Sequence, residues 1–100
     1  MVVSAFGEID LATAPILVRR VEDELAIDPP ARIVVDLSEA SFLDSSGLDA
    51  LVRLHRQLGA DGIELRLVSP SDRVVRQVFE ITHLTETLGV VASLDDALSD

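Results

Sequence analysis

One junction constrains this chain more than any other. Arg32-Ile33-Val34-Val35-Asp36-Leu37 is a compact, β-branched run of the kind that suits an interior strand. A few residues on, Leu48, Leu51, Val52, His55 and Leu58 recur at the spacing of an amphipathic helix. Phe42-Leu43-Asp44-Ser45-Ser46-Gly47-Leu48 joins the two with an acid, two hydroxyls and a glycine, short side chains that favour a helix start. At such a start the first backbone N–H groups lack intrahelical partners and the helix dipole is positive. Ser45 therefore stands beside a place suited to an anion.

The rest of the chain repeats strand and helix signals in alternation. Val2, Val3, Ala5 and Phe6 predict a first strand, stopped by Gly7-Glu8-Ile9-Asp10. A helix begins near Thr13 with Pro15 in its first turn, turns Leu17, Val21 and Leu25 inward, and ends at Asp28-Pro29-Pro30. Ser38-Glu39-Ala40-Ser41 reads as a short connection after the second strand. The second helix runs from about Ser46 to Leu58 and closes at Gly59-Ala60-Asp61-Gly62. Ile63 to Leu67 alternates, as a strand with one wet face does. Ser69-Pro70-Ser71-Asp72 turns the chain and caps a third helix carrying Val74, Val75, Val78 and Phe79. The pattern from Ile81 to Thr85 is poor. Leu88 to Val91 predicts a short last strand, and Ser93-Leu94-Asp95-Asp96 opens a final helical turn ending at Leu98. Such alternation is the mark of an α/β sheet with crossover helices, here one domain over 1–100.

Composition narrows the function. Eighteen acidic residues face eight basic ones, all arginine, for a formal net charge of −10. That balance argues against nucleic acid and against anionic membrane surfaces, both of which need a basic face. No apolar run is long enough to span a bilayer and no secretory signal is recognisable, so a soluble cytoplasmic protein is expected. With no cysteine and two histidines in unrelated settings, a metal site is not expected. His55 reads as a packed histidine on the apolar face of its helix. There is no lysine and hence no phosphate loop, no Gly-x-Ser-x-Gly elbow, and no carboxylate pair that stands out as an acid/base couple. No enzymatic activity and no cofactor are expected.

Read from the residues alone, Asp44, Ser45 and Ser46 are helix-capping residues, and Asp10 is a turn acid ahead of the first helix. Gly47 reads as a point where another backbone or a partner approaches closely.

Together, Gly7-Glu8-Ile9-Asp10, Arg32 to Leu37 followed by Phe42 to Leu48, and Pro70 with Phe79 around the third helix resemble the STAS domain of bacterial anti-sigma-factor antagonists. The resemblance covers essentially the whole chain. It implies a STAS-like mixed β-sheet of about four strands with helices mainly on one face. An N-terminal edge strand usual in the family has no counterpart here, so an exposed edge is expected. The resemblance further implies that Ser45 is phosphorylated by an anti-sigma factor that is itself an ATP-dependent serine kinase, and is reset by a serine phosphatase. Asp10, Asp44, Ser45, Ser46 and Gly47 are the implied partner-binding residues, with Ser46 mainly structural. The implied function is a phosphorylation-controlled antagonist, monomer or weak dimer. The alternative within the same fold is an accessory subunit of a transporter or stress-sensing complex without that switch.

Overall fold

The computed structural model describes residues 1–99. Its elements follow in the order β1 (Val2–Ile9), α1 (Ala14–Ile27), β2 (Arg32–Leu43), α2 (Ser45–Ala60), β3 (Glu64–Val68), α3 (Val74–Ile81), β4 (Val90–Val91) and α4 (Leu94–Leu98). The sheet order is β1-β2-β3-β4, and each neighbouring pair is parallel. The α/β architecture with four strands is as expected, but the sheet is parallel throughout rather than mixed. The reason is local: each strand is followed by a helix that returns the chain to the same end of the sheet.

Three helices lie on one face. Leu17 and Val21 of α1, Leu51, Leu54 and Leu58 of α2, and Val75 and Phe79 of α3 close over Val3, Ala5, Ile33, Val35, Leu37, Leu65 and Leu67. Leu54, absent from the sequence-based helical stripe, is as buried as its neighbours, while His55 is half-buried at the edge of that face. Among the described residues, the opposite face is covered by α4, whose Ala97 packs on Val34 and Val68. Arg32 and Arg66 fasten α4 there: Arg32 Nη1 donates to Ser99 O (3.0 Å) and Arg66 Nη1 to Ala97 O (3.2 Å). Glu64 holds Arg32 Nε at 2.6 Å, and that bond keeps the Glu64 carboxyl below its ordinary 4.5.

β2 is longer than its pattern suggests. Its inward residues run Ile33, Val35, Leu37 and then Ala40 and Leu43, so the alternation slips twice. Val2 pairs with Val34 but Ile9 pairs with Leu43, and seven steps of β1 therefore run beside nine of β2. Two extra residues are absorbed as bulges. Ser38 to Ser41, expected as a connection, belongs to this bulged strand, which ends directly beside the end of β1.

The start of α3 also differs from expectation. Its N-cap is Arg73, without a side-chain hydrogen bond, so Asp72 does not cap it. Arg73 N–H instead donates to Pro70 O (3.1 Å) in a turn that precedes the helix. α4 begins as its sequence predicts, with Ser93 Oγ accepting from Asp96 N–H (3.1 Å).

Candidate functional site

The C-terminal ends of β1 and β2 meet at one corner of the sheet, and Asp10, Asp44, Ser45, Ser46 and Gly47 all lie at or just beyond those ends. Leu43 pairs with Ile9, and Asp44 N–H donates to Ile9 O (3.3 Å). Asp10 and Asp44 are thus each one residue beyond a paired position on adjacent strands. Asp44 has extended backbone angles and is the N-cap of α2. Its Oδ1 accepts from Gly47 N–H (2.9 Å), and Leu48 N–H donates to its carbonyl (2.9 Å). One residue therefore ends the strand and starts the helix.

Gly47 is buried, and the reason is steric. A β-carbon there would collide with Ile9 O and would lie 2.6 Å from Leu43 Cδ1. The glycine lets the first turn of α2 sit directly on the end of β1. The close approach observed at Gly47 is to another backbone, and the residue is buried.

Asp10 is occupied by its own turn. Its Oδ1 accepts from Ala12 N–H (3.0 Å) and Thr13 N–H (3.0 Å), while Thr13 Oγ1 accepts from Asp10 N–H (2.9 Å). The Thr13 bonds, chiefly its backbone N–H and then its hydroxyl, hold the Asp10 carboxyl below its ordinary 3.8. Asp10 is thus a charged turn acid just ahead of α1, whose N-cap is Thr13, and lies one strand away from Asp44. The sequence marks Thr13 as a helix start but not as the partner of Asp10, although its spacing three residues after Asp10 is the signal of a side-chain capped turn.

Ser45 is the first helical residue of α2 and is exposed. Ser46 is half-buried and turns toward the groove between α1 and α2, with Leu11, Asp49 and Ala50. Leu11 is 76% exposed beside this corner, an apolar side chain that no period in the sequence marked. The corner thus offers an accessible hydroxyl on a fixed helix start, with the Asp44 cap before it, the Asp10 turn acid at the end of the neighbouring strand, and an exposed leucine. Among the described residues, no group of His, Cys, Asp and Glu is arranged to hold a metal ion, and no helix is long and apolar enough to cross a membrane.

The comparisons with known proteins agree with this architecture. Among curated relatives, the anti-sigma-F factor antagonist RsfB of Mycobacterium tuberculosis is 34% identical over 98 residues, covering 98% of this chain and 78% of the relative. The anti-sigma-B factor antagonist of Listeria monocytogenes is 36% identical over 84 residues, covering 84% of this chain and 72% of the relative. Among solved structures, an anti-sigma factor antagonist from Mycobacterium paratuberculosis matches with a TM-score of 0.82 at 37% identity, covering 97% and 80% of the two chains. The unphosphorylated form of the antagonist SpoIIAA shares the fold, with a TM-score of 0.75 at 24% identity over 95% of this chain and 80% of that one. The STAS domain family matches residues 1–97, and to that family this chain belongs.

Proposed function

We propose that this protein is an anti-sigma-factor antagonist whose grip on its partner is set by phosphorylation of Ser45. The observation that carries the proposal is the exposed Ser45 side chain at the first position of a capped, sterically fixed helix. Relatives that are 34% and 36% identical carry the antagonist name. The sheet order has no reversal, so the crevice in which open α/β sheets usually hold small ligands is not formed. A binding face suits this chain better than a catalytic cleft.

The partner is an anti-sigma factor with ATP-dependent serine kinase activity. In the transfer, Ser45 Oγ takes the γ-phosphoryl group of ATP, the hydroxyl proton leaves, and ADP departs. The product adds about −1.5 to −2 charge and three acceptor oxygens. At the α2 N-terminus that group gains about 0.3–1 kcal/mol from the dipole, so the domain itself tolerates it. The effect falls on the partner's face. Asp44 and Asp10 already make the corner negative, and a phosphate there adds repulsion and hydration that docking must overcome. Disrupting a desolvated charged contact of this kind costs about 2–5 kcal/mol. The hydroxyl form holds the anti-sigma factor, the phosphate form releases it, and a serine phosphatase resets the cycle.

The test is to incubate the chain with its cognate anti-sigma factor and ATP and to map the phosphate by mass spectrometry. Phosphate is expected on Ser45 and absent from Ser45→Ala, which still binds. Ser45→Asp is expected to weaken binding tenfold or more, about 1.4 kcal/mol. Phosphate on another residue, or equal affinity of modified and unmodified protein, would sink the proposal.

A further inference from the structure

α3 carries more apolar surface than its own domain uses. Five of its eight residues are Val, Phe or Ile. Around the helix they fill one broad arc, with Val75 and Phe79 on one side of it and Val74, Val78 and Ile81 on the other. Val75 and Phe79 enter the core. The other side of the arc is left outside. Val74 is 66% and Ile81 76% exposed, one at each end of the helix, and Val78 between them is half-buried. These three recur at i, i+4 and i+7, the spacing of a single stripe. A helix that packs on one side needs an apolar face of about 100°, with polar residues elsewhere. The stripe exceeds that need. All three of its residues are β-branched, which lowers helix propensity, and α3 also starts without a side-chain cap. Nothing in the local structure of α3 calls for them, whereas a covered face would.

The charges beside the stripe decide what covers it. Arg73, just before the helix, and Glu80, near its end, stand seven residues apart and are both exposed. Arg73 makes no ion pair among the described residues, and Glu80 meets Arg76 at a loose 3.9 Å. We infer that the outer face of α3 pairs with the same face of a second copy of this chain, antiparallel about a two-fold axis near Val78. In that arrangement Val74 lies against Ile81 of the second copy and Arg73 against its Glu80, and the axis repeats both contacts. A parallel pair would set Arg73 against Arg73. The stripe and its flanking charges are therefore their own complement. Two helices of this length bury on the order of 1,000 Å² between them, the lower end for a specific interface, so a dissociation constant of about 10–100 µM is expected. The net charge of −10 on each copy opposes association at low salt, and physiological ionic strength screens it.

The experiment is sedimentation equilibrium of the full 100-residue chain from about 5 to 500 µM, a range that brackets the expected constant. Wild type is expected to pass from monomer toward dimer across it. Ile81→Gln and Val74→Gln each change an exposed side chain, and each is expected to weaken self-association tenfold or more. Arg73→Glu and Glu80→Arg are each expected to stay monomeric alone, because like charges then meet across the axis. Mixed in equal amounts, those two variants are expected to pair with each other, since every Glu then faces an Arg. Association through another face gives no such rescue. Far-UV circular dichroism checks that each variant is folded, and either Gln variant can stand in for the other. The inference is overturned if wild type is monomeric throughout, if the Gln variants dimerise as wild type does, or if the charge variants fail to pair on mixing. Wild type that stays monomeric while the Gln variants lose affinity for the anti-sigma factor also overturns it, and gives the stripe to that partner.

Discussion

The starts of α2 and α3 stand at the same pole of the sheet, each following a parallel strand, yet they are built differently. One residue, Asp44, separates β2 from α2, whereas residues 69–73 separate β3 from α3. α2 has a carboxylate cap and a buried glycine wedged against Ile9 and Leu43. α3 has an uncapped start at Arg73 and leaves Val74 66% exposed. Both satisfy the parallel-sheet topology. Only the first fixes the position of the side chain that follows the cap. Helix formation is therefore the lesser demand at α2, and a hydroxyl held at a defined place is the greater one.

Four measurements would break or sharpen this contrast. The largest effect is expected at Gly47. In an ordinary helix Gly→Ala stabilises by about 1 kcal/mol. At Gly47 the new methyl meets backbone at Ile9 O, which no rotamer change relieves, and the overpacking cost of about 3 kcal/mol outweighs it. Denaturant unfolding of Gly47→Ala should show a net loss of about 2 kcal/mol or more. A gain would mean that α2 is not wedged on β1. Next, Asp44→Ala removes a cap worth about 1 kcal/mol and should also slow phosphate incorporation at Ser45, read in the same kinase assay. The converse change at the other helix has the opposite sign. Arg73 has the extended backbone of an N-cap, with φ −94° and ψ 149°, so Arg73→Ser should raise stability by about 0.5–1 kcal/mol. Equal responses at positions 44 and 73 would erase the contrast.

The smallest effect is acid sensitivity at Asp10. Its carboxyl titrates lower in the folded chain than in the unfolded one, so the folded state favours the ionised form. That contribution is fully present above its ordinary 3.8 and is lost as pH falls through the lower, folded value. Asp10→Asn should flatten the stability profile in that window, falling below wild type near neutrality and converging with it in acid. Urea midpoints measured across the window would show it.

Much of this was written in the sequence, because the residues concerned act through near neighbours. The helix at Thr13, the proline stop at Pro29 and the cap at Ser93 depend on contacts within a few positions and stand where local chemistry puts them. Gly47 was legible as a point of close approach, but not that the approaching atom belongs to Ile9, 38 positions earlier. β2 was cut short because two bulges break a period of two, and a broken period looks like a loop. Arg32 reads as the polar start of a strand. Its role in holding α4 depends on carbonyls more than sixty residues away. Ser69-Pro70-Ser71-Asp72 reads as a turn that caps the third helix, yet the turn built on Pro70 O passes the cap position to Arg73.

The nine-against-seven register of β2 on β1 has a consequence for how this corner tolerates change. The two surplus residues are slack: both ends of the ladder keep their partners while the middle buckles. The location of Ser45 is therefore referenced to the end of β1 through Ile9, and not counted along β2 from Arg32. A residue inserted or deleted near Ser38 to Ser41 can be taken up by the buckle, leaving the hydroxyl where it is. The same change between Leu43 and Gly47 has nowhere to go, and would turn the helix start away from its seat.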